Sequence, residues 1–177
     1  MSGASAIDTH DLRKALGQFA TGVTVITTID PETGTPIGRT ANSFSSVSLD
    51  PPLVLWSLRK SSTSFDAFMS ATHFAINVMS TSQIPLSQHF ARSSEQKFAE
   101  IGFRKGLGGS PIFDGTTAIF ECGVESKTEA GDHIIIIGRV LNFEHDEVPP
   151  LVFSEGRYQA AIEHPSTRLN ASQSQLE

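Results

Sequence analysis

The sequence predicts a mainly β domain, built as an antiparallel barrel or sandwich with a few peripheral helices. Segments rich in β-branched and aromatic residues outnumber the segments that show helical spacing. Most neighbouring strand candidates are joined by short turns such as Pro31-Glu32-Thr33-Gly34, and short connections favour antiparallel pairing. This pattern differs from repeated βαβ units, in which a helix separates each pair of parallel strands.

The first half of the chain begins with an amphipathic helix and continues mainly as strands. The helix is expected at residues 8–19, where Asp8 can cap the N-terminus and one apolar stripe contains Leu12, Leu16 and Phe19. Strands are expected at residues 23–29, within 38–48, at 53–58 and at 74–79, and further helices at 64–70 and 83–90. The continuous apolar run at 53–56 is typical of a strand that is covered on both faces.

The second half contains a long connection followed by the longest strands. Residues 92–112 mix charges with glycine and proline and are expected to form a surface excursion, a feature that is often functional. Strands follow at 117–124 and 133–143, and residues 134–137 are so apolar that we expect them in the core or at a subunit interface. A last strand combines 151–153 with Tyr158. We expect one domain over residues 1–163 and a mobile polar tail over 164–177.

Composition limits the classes of protein to which the chain can belong. Its 177 residues and 38% hydrophobic content suit one globular domain with a substantial core. The net charge of −6 argues against a general nucleic-acid binder. The single cysteine, Cys122, fits a reducing compartment, and neither a signal peptide nor an apolar run of about 20 residues is found. We therefore expect a soluble cytoplasmic protein without membrane or nucleic-acid partners.

Several common catalytic arrangements are missing from the sequence. It contains no G-x-G-x-x-G after a strand, no P-loop, no H-E-x-x-H and no G-x-S-x-G. The six histidines lack metal-ligand spacing, so no metal site is expected. Cys122 falls inside an apparent strand, where a buried cysteine is more typical than a nucleophile. An enzyme built on this chain would therefore use the chemistry of a bound cofactor.

The first candidate site lies in residues 38–64. Amide and hydroxyl side chains occupy strand positions in Arg39-Thr40-Ala41-Asn42-Ser43, and a basic hydroxyl-rich loop, Arg59-Lys60-Ser61-Ser62-Thr63-Ser64, precedes a helix. Unpaired N–H groups at a helix N-terminus favour anions, so this loop can form an anion site. The ordinary alternative is a helix cap beside a solvated strand face, and both interpretations stay open from the residues alone.

A second candidate is Gly131-Asp132-His133, which places an imidazole at the beginning of an apolar strand. The ring could donate a hydrogen bond or hold a carboxamide or a negative charge. Spacing alone favours the simpler alternative, in which the aspartate belongs to a turn and the histidine ends a strand.

A series of short motifs in one order gives the chain a resemblance to a known family. They are FATGVTV from Phe19, TANSFSSVS from Thr40, DPPLV from Asp50, FAINV from Phe74, HFA from His89 with Lys97-Phe98, GSP from Gly109, FEC from Phe120, GDH from Gly131, PLV from Pro150 and GRY from Gly156. With these motifs the chain resembles the short-chain flavin reductases, the reductase components of two-component flavin monooxygenases. The resemblance implies a split β-barrel that binds FMN or FAD, usually as a homodimer with its sites near the subunit interface.

The resemblance also assigns residues to ligands. The residues that it assigns to the flavin are Thr40, Ala41, Asn42, Ser43, Ser57, Leu58, Lys60, Ser61, Ser62, Thr63, Phe90, Ala91 and Lys97. Among these, Asn42 and Ser43 would bond the polar edge of the ring, and Lys60, Ser61 and Ser62 would hold the ribityl chain and phosphate. The residues that it places on the nicotinamide side are His133, Tyr158 and Thr21.

The activity implied by the resemblance is hydride transfer from NADH or NADPH to FMN or FAD, with delivery of reduced flavin to a partner monooxygenase. No dedicated clamp for a 2′-phosphate is identified in the sequence, which favours NADH. Two alternatives remain: a protein that holds flavin tightly and reduces another acceptor, such as ferric iron or a corrinoid, and a barrel without enzymatic activity.

Overall fold

The computed structural model describes residues 7–92 and 97–166. Its helices are α1 (Thr9–Gly17), α2 (Phe65–Ser70) and α3 (Ile84–Ala91). Its strands are β1 (Thr21–Gly22), β2 (Thr24–Ile29), β3 (Pro36–Ala41), β4 (Ser45–Leu49), β5 (Pro52–Arg59), β6 (His73–Val78), β7 (Arg104–Lys105), β8 (Pro111–Ile112), β9 (Ala118–Ala130), β10 (His133–His145), β11 (Leu151–Ser154) and β12 (Arg157–Ala160). Short 3-10 turns occupy Thr81–Gln83 and Leu107–Gly109.

One antiparallel sheet of seven strands dominates the fold, with the order β3-β2-β6-β9-β10-β5-β4. Two smaller sheets accompany it, one in the order β1-β11-β12 and the other formed by β7 and β8. The long hairpin of β9 and β10 lies in the middle of the large sheet and connects its two halves. The mainly β class predicted from the sequence is confirmed.

The large sheet wraps around a common apolar core. The buried residues of this first core cluster are Ile26, Val54, Trp56, Leu58, Phe68, Phe74, Ile76, Cys122, Ile134 and Ile136. They come from five strands and from α2, and partly buried Ile37 and Ala41 of the edge strand β3 pack against them, as does Phe44 just before β4. Side chains from β2 and β5, near opposite edges of the sheet, can meet in one cluster only if the sheet is strongly curved.

A second core cluster fills the space between β2, α3 and β11. Its buried residues are Val23, Val25, Met79, Phe90, Phe113 and Leu151. Val25 and Ile26 point into different clusters because successive side chains of a strand face opposite sides. Gly38 on β3 allows this packing, since a Cβ atom there would lie 2.6 Å from the Phe90 ring. These two clusters together hold β2 at the centre of the domain.

Cys122 belongs to the first core cluster, as the sequence predicted. Burial, together with a smaller contribution from the charge of Glu121, raises the pKa of its thiol to about 12. A thiol with so high a pKa carries almost no thiolate at neutral pH, which removes it from consideration as a nucleophile.

The predicted helix at the N-terminus is present, but its apolar stripe does not pack on the domain. Asp8 caps α1 by accepting a hydrogen bond from the His10 N–H at 2.7 Å. No residue of α1 is buried, and Leu12, Leu16 and Phe19 are 44%, 67% and 77% exposed. Helical periodicity reveals an apolar face but not what covers it, and the exposure of this stripe is visible only in the structure.

The predicted excursion at 92–112 is only partly on the surface. Its last residues are buried together with Phe113, and Pro111–Ile112 form β8. The Pro111 carbonyl accepts a hydrogen bond from Thr27 Oγ1 at 2.5 Å, and the Phe113 N–H donates to Asn77 Oδ1 at 3.0 Å. The expectation of a surface connection is therefore wrong at this end, because polar side chains inside the sheet hold the segment.

Two further expectations change in detail. The last predicted strand is a hairpin of β11 and β12, which turns at Glu155 and Gly156, both with positive φ. The apolar run on β5 is not covered evenly: Val54 and Trp56 are buried, whereas Leu53 and Leu55 are half-buried on the other face.

The predicted tail lies mostly outside the described residues. Within residues 7–92 and 97–166, every helix is too short or too polar to cross a membrane.

Candidate functional site

The polar strand β3 and the loop after β5 meet in the folded chain. Arg39 lies on the same side of β3 as Ile37 and Ala41, which pack against the first core cluster. Arg39 Nη1 donates a hydrogen bond to Ser62 Oγ at 2.6 Å, and Ser62 Oγ lies 2.8 Å from Ser64 Oγ. The polar strand and the hydroxyl-rich loop therefore form one site.

The hydroxyl of Ser43 ties the connection between β3 and β4 to β5. Ser43 Oγ accepts a hydrogen bond from the Ser57 N–H at 2.9 Å and lies 3.3 Å from the Ser57 carbonyl oxygen, to which it can donate. Its hydrogen-bonding capacity is thus largely used within the protein. Asn42, next to it, is exposed, so its carboxamide is accessible to a ligand.

Thr40 and Tyr158 are joined through α3. Thr40 Oγ1 donates to the Ser87 carbonyl at 2.6 Å, and Ser87 Oγ lies 2.9 Å from the Tyr158 hydroxyl. Ser87 is fully buried, so this chain of hydrogen bonds fixes α3 between β3 and β12. The Thr40 hydroxyl points at α3, which makes it a supporting group for the site.

Lys97 is anchored beside Arg39 by main-chain oxygens. Its Nζ donates to the Phe90 carbonyl at 3.0 Å and to the Gly38 carbonyl at 3.3 Å. The carbonyl of Lys97 in turn lies 2.7 Å from His89 Nε2, which can donate to it. The ammonium group is therefore held next to β3 by neutral partners only.

The positive charges in this region disfavour one another's protonated forms. Burial lowers the pKa of Arg39, and the charge of Arg59 lowers it further. Burial likewise lowers the pKa of Lys97, with a second contribution from the charge of Arg39. We call Arg39, Arg59 and Lys97 the cation cluster.

The cation cluster lacks ion-pair partners in the part of the chain that the structure describes. None of its three side chains has a carboxylate within 4.0 Å there. The charge of Arg59 also acts on Asp132, whose pKa is lowered mainly by its hydrogen bond to His133 and further by Arg59. Arg39 and Lys97 are half-buried, and without a carboxylate partner in the described residues they favour binding of an anion, in a chain whose net charge is −6.

The tip of the β9–β10 hairpin packs against the loop that follows β5. The Lys60 N–H donates to the Asp132 carbonyl at 2.9 Å, and Lys60 Nζ lies 3.1 Å from Glu129. His133 pairs with Arg59 across the ladder of β10 and β5, and its Nδ1 lies 2.7 Å from Asp132 Oδ1. His133 is therefore at the same end of the sheet as the cation cluster, as a ligand spanning both sites requires.

The remaining residues from the sequence predictions fall into three groups. The side chains of Leu58 and Phe90 are fully buried, so they can reach a ligand only through their backbones. Ser61, Thr63 and Ala91 are exposed. Thr21 and Tyr158 belong to the three-stranded sheet of β1, β11 and β12, whereas His133 is at the end of the seven-stranded sheet.

One of these residues carries an unexplained polar atom. Thr21 Oγ1 is buried and has no hydrogen-bond partner in the described part of the protein. A buried hydroxyl without a protein partner is uncommon, and a bound water molecule or a ligand would satisfy it.

Sequence reasoning did not single out Arg39 as a candidate site residue, although a signal was present. Along β3 the residues Ile37, Arg39 and Ala41 share one face, and the outer two are apolar. A charged residue at the middle of an otherwise inward-facing row is costly unless it has a partner or a role. The alternation of β3 therefore singles out Arg39. Arg59 was noted only as part of the basic loop.

Comparison with known protein families shows to which family the chain belongs. Residues 16–161 match the flavin reductase like domain. The chain belongs to this flavin reductase family. The resemblance stated from the short motifs is thereby confirmed.

Curated relatives of this flavin reductase domain carry related names. A probable flavin reductase of Rhizobium meliloti is 51% identical over 88% of this chain and 50% of its own length. The FMN reductase (NADH) SmoA of Agrobacterium fabrum is 49% identical over 85% of both chains. The reductase component of the flavin-dependent trigonelline monooxygenase of Acinetobacter baylyi is 45% identical over 84% of this chain and 48% of its own length. The chain thus spans about half the length of the first and third of these relatives.

Solved structures share the fold. The NADH:FAD oxidoreductase SgcE6 of Streptomyces globisporus, in complex with NAD and FAD fragments, superposes with a TM-score of 0.81. It is 35% identical and covers 92% of this flavin reductase domain and 98% of its own chain.

Proposed function

We propose that this flavin reductase domain transfers a hydride from NADH or NADPH to FMN or FAD. The observation that carries the proposal is the half-buried pair Arg39 and Lys97, held beside a hydroxyl-rich loop without carboxylate partners, in a chain of this family. Relatives named for NADH with FMN and for NADH with FAD support the two ligands.

The residues present fit a flavin nucleotide. A phosphate suits the cation cluster and Ser62, and a ribityl chain suits the hydroxyls of the same loop. The exposed carboxamide of Asn42 offers donors and an acceptor to the polar edge of the ring. The buried hydroxyl of Thr21 has no hydrogen-bond partner among the described residues, and a ligand could provide one. When bound, the flavin supplies the hydride-accepting chemistry.

The work of the protein is then to position two ligands and to stabilise negative charge. Asp132 accepts a hydrogen bond from Nδ1 of His133, which orients the imidazole and leaves Nε2 for the nicotinamide side. Asn42, beside the polar edge of the ring, would donate to the position where a reduced flavin carries negative charge, whereas the cation cluster would hold the phosphate. Correct placement of two reacting groups lowers the barrier without a strong general acid.

We propose further that the reduced flavin serves a monooxygenase. The relatives named as the stachydrine N-demethylase reductase subunit and the trigonelline monooxygenase reductase component support this role. NADH remains the favoured donor, in line with the name of the FMN reductase (NADH) relative.

A homodimer is also proposed. On the outer face of the large sheet, Ile135 and Ile137 of β10 lie opposite Ser57 and Leu55 of β5 and are only half-buried. An apolar outer face of this kind suits contact with a second copy. Ile137→Lys should convert a dimer to a monomer in sedimentation or light-scattering measurements; a mass that is monomeric before the substitution contradicts the dimer.

The first experiment follows NADH oxidation with and without added FMN, FAD or riboflavin. Stimulation by free flavin supports the proposed reductase. Oxidation without stimulation, by a yellow protein, indicates bound flavin that serves another acceptor. A colourless protein that neither binds flavin nor oxidises NADH contradicts the proposal.

Two substitutions test the assigned residues. Asn42→Ala should weaken flavin binding or turnover by about 1–3 kcal/mol, if a buried hydrogen bond to the ring is lost. His133→Ala should raise the KM for the nicotinamide more than the Kd for the flavin. Unchanged binding of both ligands in His133→Ala would remove His133 from this role. The matched control for the Asn42 carboxamide is Gln18→Ala, since the Gln18 side chain donates to Glu155 in the turn between β11 and β12.

A further inference from the structure

Ser87 is a fully buried polar residue inside α3, a helix that packs on the second core cluster through Phe90. A serine in the interior of a helix competes for main-chain hydrogen bonds, and its hydroxyl is costly to bury unless it has a partner. The Oγ of Ser87 lies 2.9 Å from the hydroxyl of Tyr158 on β12. The serine is therefore satisfied by a residue of another element of the fold.

The carbonyl of Ser87 connects α3 to β3. It accepts a hydrogen bond from Thr40 Oγ1 at 2.6 Å. A carbonyl oxygen has two lone pairs, so it can accept this bond together with a bond inside the helix. Thr40 follows Arg39 and lies two positions before Asn42 in the segment proposed to hold the flavin. Through Ser87, α3 is thus fixed to the part of the site that carries the Asn42 carboxamide.

The hydroxyl of Ser87 connects α3 to the three-stranded sheet. Tyr158 lies opposite Phe153 on β11, and Phe153 lies opposite Thr21 on β1. Residues directly opposite one another on neighbouring strands point to the same face of a sheet. Tyr158 therefore shares a face with Thr21, whose buried hydroxyl has no partner in the described part of the protein.

The C-terminal end of α3 is tied to the cation cluster. Lys97 Nζ donates to the carbonyl of Phe90, one turn of the helix beyond Ser87. A displacement of α3 would therefore move its contacts with Thr40, Tyr158 and Lys97 together.

We propose that Ser87 is a positioning residue for hydride transfer, which fixes the spacing between β3 and the three-stranded sheet. The inference deepens the proposed function and rests on it for the two ligands. The hydride carries two electrons from the reduced nicotinamide to the oxidised flavin, so one ligand is oxidised as the other is reduced. The reacting atoms must lie about 3–3.5 Å apart, and a misplacement of about 1 Å can cost about 100-fold in rate. Because Ser87 is buried, it acts through Thr40 and Tyr158 and not by contact with a ligand.

The first arm of the test measures turnover in Ser87→Ala, which removes the hydroxyl bonded to Tyr158. We expect kcat to fall about 10-fold while the Kd for FMN stays within about 2-fold, because placement is lost and affinity is not. NADH with deuterium at the transferred position should show a larger isotope effect on kcat in the variant, since the hydride step becomes slower relative to product release. A weaker affinity with an unchanged kcat overturns the proposal.

Ser110→Ala is the matched control for this arm. Ser110 is also buried, and its Oγ has no hydrogen-bond partner among the residues that the structure describes. Its removal should leave kcat and the isotope effect unchanged. If Ser87→Ala and Ser110→Ala behave alike in an active reductase, the proposal is overturned and the reductase function stands.

The second arm examines the connection without turnover. Tyr158 is the only tyrosine of the sequence, so labelling with fluorotyrosine gives a single fluorine NMR resonance. FMN added without a nicotinamide nucleotide should shift this resonance in the wild type and in Ser110→Ala, since a ligand on β3 acts on α3 through Thr40. The shift should be much smaller in Ser87→Ala. An equal shift in all three proteins, or no shift in any of them, overturns the connection through Ser87.

A second substitution removes the same hydrogen bond from its other side. Should Ser87→Ala fail to fold, Tyr158→Phe is expected to show the same fall in kcat. In the double variant the two losses should not add, because both substitutions remove one interaction. Additive losses overturn the proposal. A wild type that neither binds flavin nor oxidises NADH overturns the proposed function and this inference with it.

Discussion

The first core cluster and the cation cluster differ in what surrounds their side chains. Around Trp56 the side chains are apolar and buried, and the indole meets the Phe68 ring edge-on at a centroid distance of 4.9 Å. Around Arg39 like charges are half-buried and bonded to neutral oxygens. The core lowers the free energy of the folded chain, whereas the cluster keeps an unfavourable electrostatic interaction that a bound anion would relieve. Stability and binding are thus assigned to different residues.

The largest expected effect is in the core. Trp56→Ala should lower the free energy of unfolding by about 3–5 kcal/mol, because it removes a large buried ring and leaves a cavity. Urea unfolding measures the change. Trp56→Phe is the control: it keeps most of the ring and removes an indole N–H without a partner in the described residues, so it should cost less than half as much. Similar losses for both variants would contradict this account of the core.

The next effect lies at the border of the two regions. Gly38→Ala should cost about 1–3 kcal/mol, because the added Cβ would lie 2.6 Å from the Phe90 ring. Since Lys97 is bonded to the carbonyls of both residues, the affinity for inorganic phosphate should fall as well. Gly22→Ala provides the control, with no atom within 4 Å of its Cβ. A Gly38→Ala protein as stable as Gly22→Ala would show that the ring can move freely.

A smaller effect of opposite sign is expected in the cation cluster. Arg39→Met should leave the free energy of unfolding unchanged or raise it by about 0–1 kcal/mol in buffer without phosphate. The substitution removes repulsion and keeps an apolar stem, while solvent screening limits the gain. The comparison is Arg139→Met, which breaks a two-point bond to Glu125 with both N–O distances at 3.0 Å. A larger loss for Arg39→Met than for Arg139→Met would contradict the idea of an uncompensated charge.

The smallest effect concerns pH. The pKa of Lys97 is lower in the folded protein than in the unfolded chain, so the unfolded state binds more protons in the interval between the two values. Stability should therefore rise by a few tenths of a kcal/mol as pH increases toward 10.5, the ordinary lysine value, and Lys97→Met should remove this rise.

Lys127 supplies a matched comparison for the pH measurement. Its pKa is lowered by burial alone, whereas that of Lys97 is also lowered by the charge of Arg39. In an Arg39→Met background, the contribution of Lys97 should shrink and that of Lys127 should stay the same. Equal changes for both lysines would mean that Arg39 does not act on Lys97.

Local patterns in the sequence were sufficient for most of the fold. Runs of apolar and β-branched residues predicted the strands β2, β6, β9 and β10, because strand preference and burial act on neighbouring residues. The burial of Pro111 could not be predicted in this way, since it depends on Thr27, which is 84 positions away. The exposure of α1 was also beyond local patterns, because periodicity does not identify the surface that covers a helix.

The site was predictable in its residue types but not in its assembly. The loop around Ser62 and the strand around Asn42 were identified from their composition. The hydrogen bond from Arg39 to Ser62 joins positions 23 apart, and only the curvature of the sheet brings them together. The argument from a helix N-terminus is weak in the structure, because α2 has six residues and Ser64 makes no side-chain cap. The cation cluster provides the better reason for an anion site.

The strand order has a consequence for the synthesis of the chain. β5 pairs with β4, which precedes it, and with β10, whose residues His133–His145 leave the ribosome much later. Until β10 is present, β4 and β5 form a hairpin detached from β2 and β3, so Arg39 and the loop after β5 have no fixed relation. A nascent chain that ends before β10 therefore contains every residue assigned to the flavin, but β5 is not yet paired with the rest of the large sheet. Long-range strand pairing of this kind is slow. Ligand binding becomes possible only when translation of the domain is nearly complete.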